Sequence, residues 1–133
     1  MSEDIENPKR YTHTKLECWD FWIKAGLNPL IASAVKYVWR YKYKNGVEDI
    51  DKAQVFLDKA FNTKDVYYSG VEFEINKEDF PGFTEHQLEF LEGAVLTTKP
   101  NIDKVGMLMM NNALKGLMID ALVDRDKGKQ NND

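Results

Sequence analysis

An all-α fold is the expectation from this sequence, and three observations carry it. Apolar residues recur at three- and four-residue spacing in five stretches. Each stretch is bounded by capping residues, Gly or Pro. Strand-like alternation is confined to Val71, Phe73 and Ile75, with Glu72 and Glu74 between them.

The chain has 133 residues, 43% of them hydrophobic and 12% aromatic, which is enough to bury one core in a single domain spanning 1–133. A net charge of −4 argues against bulk-charge binding to nucleic acid but leaves room for a local basic patch. Cys18 is the only cysteine, so neither a disulfide framework nor a thiolate metal cluster is expected, and a reducing cytoplasm fits. No apolar run reaches transmembrane length, so no membrane partner is expected. The acidic start lacks a signal-peptide core.

Residues 1–9 are polar and expected to be loose. Thr14 and Glu17 have capping-box spacing and predict a helix over 15–25, ended by Gly26. Leu16, Trp19, Phe21, Trp22 and Ile23 make this helix apolar nearly all round, so cover on more than one side is expected. Asn28-Pro29 then starts a helix over 29–44, because Asn caps and Pro at the first position lacks an amide that would go unused. Asn45-Gly46 ends it, Gly supplying a positive φ. A third helix follows over 47–61, with Ile50, Ala53, Leu57 and Phe61 as its core face and Val55 turned toward some second partner.

Residues 66–75 read either as a strand, alone or in a hairpin, or as an extended arm laid on the helices. Thr84 and Gln87 form a capping box, with Phe83 and Leu88 at staple spacing, and predict a helix over 84–98 before Pro100. Asn101 is the expected cap of the last helix, 102–124, ahead of a loose polar tail over 126–133. Ile102, Val105, Met109, Ala113, Leu117 and Ala121 line one face of it. Leu108, Leu114, Met118, Ile119 and Leu122 widen the apolar surface beyond one stripe, which is either extra core or an interface. The interface reading gives a homodimer or larger homo-oligomer.

The second helix carries the most chemistry. At about 100° per residue, Ile31, Ala34, Val35, Val38 and Tyr41 share one side, while Ser33, Lys36, Tyr37, Arg40 and Lys44 lie roughly opposite. Lys36 and Arg40 are one turn apart and repel unless an anion or a carboxylate sits between them. The face is therefore either simply solvated or a phosphate site built from side chains, with Tyr37, Trp39, Tyr41 and Tyr43 available to stack on a base. No Walker-type phosphate loop is present, and two histidines, His13 and His86, with one cysteine are too few for a nucleophile pattern.

The run Ala32-Ser33-Ala34-Val35-Lys36-Tyr37-Val38-x-Arg40, then Lys44-Asn45-Gly46, then Glu48-Asp49-Ile50-x-Lys52-Ala53, resembles the signature of the SaV-like family of small phage early proteins. That family includes the deoxynucleotide kinase of the T-odd coliphages. Upstream, Leu16-Glu17-x-x-Asp20-Phe21 is similar to the helix that precedes the signature, so the likeness covers 11–61. Residues 80–125 form a helical hairpin without such a likeness. The family's Gly-Asn pair is Ala32-Ser33 here, and its usual His-Tyr is Arg10-Tyr11.

The resemblance implies a phage protein of the host cytoplasm that binds nucleotides, with transfer of phosphate onto a deoxynucleoside monophosphate as the reaction. Ser33, Lys36, Tyr37, Arg40 and Lys44 would be its binding residues. A different class is also implied: a non-catalytic interaction protein that contacts a host factor and triggers abortive-infection defence. A third reading comes from Glu17 with Asp20 and Glu48 with Asp51, each pair one turn apart; facing each other, the four could hold Mg²⁺, as in all-α nucleoside triphosphate pyrophosphatases. Acidic residues near helix starts are equally explained by the helix dipole.

Overall fold

The computed structural model describes residues 16–63 and 68–132. These form five α-helices and no strand: α1, Cys18–Ala25; α2, Pro29–Arg40; α3, Val47–Asn62; α4, Glu85–Leu96; and α5, Asp103–Asn132. The all-α expectation holds. None of the described helices is long and apolar enough to cross a membrane.

Two helical hairpins make the frame. α2 packs along α3, α4 packs along α5, and the pairs meet through α3 against α5 and α2 against α4. A single cluster of buried residues runs through all five helices, from Phe21 and Val38 to Leu91 and Leu117. The α4–α5 crossing is close because both helices present glycine. A Cβ on Gly93 would stand 2.7 Å from the Gly106 carbonyl oxygen, and one on Gly106 would strike the Gly93 carbonyl. His86, exposed in the first turn of α4, lies against Gly116 of α5.

Local signals set the helix starts. Asn28 Oδ1 accepts from the Leu30 amide at 2.8 Å, with Pro29 at the first position. The Thr84–Gln87 capping box is present in both directions: the Gln87 amide donates to Thr84 Oγ1 at 3.2 Å and the Thr84 amide to Gln87 Oε1 at 2.9 Å. Buried Gln87 also donates from Nε2 to the Val38 carbonyl at 3.1 Å, where α2 is about to tighten into a 3-10 turn over Tyr41–Tyr43. One side chain thus starts α4 and ties it to the end of α2.

Several boundaries differ from the sequence expectation. α1 begins at Cys18 with Glu17 as its N-cap and no side-chain cap bond, and Thr14 lies outside the described residues, as does His13. α2 ends at Arg40, four residues early, because the chain tightens into the 3-10 turn before Gly46, at φ +50°, starts α3. α4 ends at Leu96, before the Thr97–Thr98 turn whose hydroxyls bond back to Ala94 and Val95. The last helix starts at Asp103, and the Gly106 amide donates to the Ile102 carbonyl, which puts Ile102 rather than Asn101 in the capping position. It then runs through Asn132, so the polar stretch after 124 is helical: a charged segment continues a helix that the core already nucleates.

Residues 68–76 form the extended arm. Val71, Phe73 and Ile75 are half-buried and alternate with exposed Glu72 and Glu74. Phe73 meets Phe21 edge-on, at 5.3 Å between centroids, and Phe21 continues into a cluster with Trp39 and Phe80. The arm is anchored by the Gly70 amide on the Thr98 carbonyl at 2.9 Å, and Ser69 fits against α1 where Gly26 has no Cβ.

Four expectations about apolar faces need correction. α1 buries only one side: Phe21 and Ala25 are in the core, whereas Trp19 is 58% exposed and Ile23 77%. Phe61 is exposed at the end of α3, because the core face stops at Leu57. Val55 is 64% exposed, so the described residues leave it largely uncovered. On α5, Leu114 is core and Met118 packs half-buried against it, so neither is free for a partner. Leu122 is half-buried, and only Leu108 and Ile119 of the five interface residues are openly exposed.

Candidate functional site

The α2–α3 hairpin gathers cations around one aromatic ring. Lys36 Nζ lies 5.1 Å from the Tyr37 ring centroid, Arg40 Cζ 4.9 Å and Lys52 Nζ 5.6 Å. Phe56 of α3 stacks on Tyr37 at 5.8 Å with 17° between the planes. The ring's negative faces offset part of the mutual repulsion of the three charges. The antiparallel hairpin causes this meeting: reflection about the Lys44–Asn45 turn brings Tyr37 opposite Lys52 and Arg40 opposite Asp49.

Asp49 is wholly buried and fixes the arrangement. Its Oδ1 takes Arg40 Nη2 at 3.3 Å, and its Oδ2 accepts the Asn45 amide at 3.0 Å. One carboxylate thus orients the guanidinium and holds the turn that opens α3. Arg40 is charge-matched in this way. Lys36 and Lys52 make no described ion pair, so the ridge retains local positive charge on a chain that is acidic overall.

The structure brings Lys36, Tyr37 and Arg40 together as the sequence led us to expect, engages Ser33 within its own helix and carries Lys44 away. The Ser33 hydroxyl donates back to the Pro29 carbonyl at 2.9 Å, so its proton is already engaged within the helix. Lys44 follows the 3-10 turn with a non-helical backbone and leaves the stripe. It lines a different cleft of ≈ 420 Å³ with Tyr41, Gly46, Glu48 and Arg125. Trp39 and Tyr41 are core residues and cannot stack on a ligand, and Tyr43 is partly exposed. The Mg²⁺ constellation does not form: among the described residues no three His, Cys, Asp or Glu side chains gather, and this includes Glu17, Asp20, Glu48 and Asp51.

Lys52, Phe56 and Asp49 were missed as members of the site. Reflection about the turn would have found Lys52 and Asp49, since the spacing to Lys44-Asn45 is fixed in the sequence, and Phe56 lies one helical turn beyond Lys52. Two other groups near the hairpin have shifted acidities. Burial, only partly offset by Trp22 and Lys36, pushes the Cys18 thiol well above the ordinary range, which makes it a poor nucleophile. Burial, with Asp120 and Asp124 adding to it, pushes the Tyr41 phenol up to about 12, and its buried hydroxyl has no hydrogen-bond partner among the described residues.

Residues 5–58 match a family described only as proteins of unknown function, DUF3310. The matched segment is less than half of the chain and contains every residue of the ridge. No curated protein and no solved structure matches the chain.

Proposed function

We propose that this protein binds phosphate esters, nucleotides above all, on the ridge of Lys36, Tyr37, Arg40 and Lys52. The observation that carries this reading is the approach of three cations to one tyrosine ring within 5.6 Å, with a carboxylate matching only one of them among the described residues. A phosphate group between Lys36 and Lys52 relieves their repulsion and makes charge-assisted bonds to both. The resemblance to SaV-like phage early proteins, with their nucleotide-kinase member, supports the choice of nucleotides.

Binding is favoured over transfer. Phosphoryl transfer needs charge stabilisation beyond substrate binding, and the ridge offers only the cations that would hold the phosphate. Tyr37 is already stacked by Phe56, so recognition rests on the phosphate more than on the base.

Calorimetry with deoxynucleoside mono- and triphosphates is the test. Micromolar to millimolar binding that Lys36→Ala with Lys52→Ala weakens at least tenfold is expected. No binding at millimolar concentration ends this reading. A second reading, contact with a host protein, is favoured by exposed Trp19 and Ile23, one turn apart on α1 inside the matched segment. Loss of partner capture in Trp19→Ala with Ile23→Ser, nucleotide binding unaffected, would support it.

A further inference from the structure

The outer face of α5 carries an unspent pattern. At about 100° per residue, Val105, Leu108, Asn112, Lys115, Ile119, Val123 and Asp126 fall within a sector of about 80°. All seven are exposed, Leu108 at 65% and Ile119 at 61%. Their spacing alternates three and four residues over most of the run, which is the seam of a two-helix pairing. Beside Leu108, the side chains of Phe61, Met107 and Ile31 open an apolar cleft of ≈ 380 Å³. The core faces of α5 are already used, so nothing described in the chain covers this one.

The order of residues along the seam selects the occupant. It is apolar at both ends, polar in the middle, with Lys104 at the edge of its N-terminal end and Asp126 on it at the other. A parallel second copy would set Lys104, Lys115 and Asp126 each against its own counterpart, three rows of like charge. An antiparallel copy, centred between Ala113 and Leu114, sets Leu108 opposite Ile119, Val105 opposite Leu122 and Asn112 opposite Lys115. It also brings Asp126 of one copy within one turn, about 4.5 Å along the axis, of Lys104 of the other. The neighbouring charges do not spoil this match, because Asp124 and Arg125 project away from the sector.

We infer that two copies of this chain associate through α5 in an antiparallel, two-fold pairing, with Ile119 of each copy seated beside the cleft of Phe61, Met107 and Leu108 on the other. A two-fold axis makes the contact self-complementary and closed. The seam lies on α5, outside the matched segment, and shares no residue with the phosphate ridge.

Sedimentation of the full chain at roughly 200 µM, above the dissociation constant of most specific interfaces, should give twice the monomer mass. Leu108→Asp and Ile119→Asp should each restore the monomer with helix content intact. Orientation is read by cysteine pairing in a Cys18→Ser background. Leu108→Cys and Ile119→Cys proteins mixed under mild oxidation should form a disulfide-linked pair, and neither should do so alone. In the antiparallel pairing, two copies of position 108 lie about 16 Å apart along the axis, beyond disulfide reach. A monomer at that concentration, or cross-linking of Leu108→Cys with itself, overturns the inference.

Discussion

Removing the Asp49 carboxylate should cost far more than its position in the first turn of a surface helix implies. The side chain is wholly buried and serves both Arg40 and the Asn45 amide. In Asp49→Ala the turn loses its acceptor and the guanidinium, only 16% exposed, loses its matching charge. Truncating one partner of a fully buried pair costs about 3–5 kcal/mol; because Arg40 retains some solvent, about 2–3 kcal/mol is expected here. Asp49→Asn keeps an acceptor for the Asn45 amide and forfeits only the charge, so about 1–2 kcal/mol should be lost. Arg40→Ala strands the carboxylate in a site with no exposure at all and should be at least as damaging as Asp49→Ala. The double variant should fall short of the sum by about 1 kcal/mol or more, since the two residues interact directly. Urea unfolding followed by tryptophan fluorescence reads these values; for Asp49→Ala the midpoint should drop by roughly 1–2 M. Equal midpoints for Asp49→Ala and Asp49→Asn would refute the account of the turn. Additive single-variant losses would refute the ion pair.

Two further outcomes follow from the core. Gly93→Ala gains up to about 1 kcal/mol of helix propensity. It also drives a methyl to 2.7 Å from a backbone oxygen of α5, and overpacking costs about 1–3 kcal/mol, so a net loss of stability is expected, measured against Gly128→Ala, where nothing lies within 4 Å. Tyr41 sets an alkaline limb. Its folded value, about 12, is above the ordinary 10.0, so the unfolded chain ionises first as pH rises. The contribution is whole below pH 10, falls through the window from about 10 to about 12 and is gone above it, a change of about 2–3 kcal/mol. Tyr41→Phe should therefore lose less stability than the parent between about pH 10 and about pH 12 in urea titrations; parallel losses would contradict the burial argument.

Much of the fold was legible because its signals are local. The Asn28-Pro29 start, the Thr84–Gln87 box and the Asn45-Gly46 turn each depend on residues within four positions of one another, and all three are found. The alternation of Val71, Phe73 and Ile75 showed correctly that one side of the segment is covered, but not that Phe21 rather than a neighbouring strand covers it. Helix ends were harder to read. Nothing in the polar residues after Asp124 marks a continuing helix, and nothing in Tyr41 to Tyr43 announces a tighter turn. The site was half legible. Lys36, Tyr37 and Arg40 share a face by periodicity alone, whereas Lys52, Phe56 and Asp49 join them only through the hairpin. Apolar width on α1 was read as cover, although Trp19 and Ile23 face outward; composition counts apolar residues without saying which are turned away.

The bond from Gln87 to the Val38 carbonyl has a consequence for heredity as well as for stability. The segment that matches a family ends at residue 58, yet the backbone at the end of its central helix is completed by a side chain from position 87. The same hairpin covers the inner faces of α2 and α3. Without α4 and α5, the inner faces of α2 and α3 would be left open. Any chain that inherits them without α4 and α5 must supply another roof for Val38, Ile50 and Leu57. The ridge of cations on the outside of the α2–α3 hairpin can stay the same while that roof is exchanged.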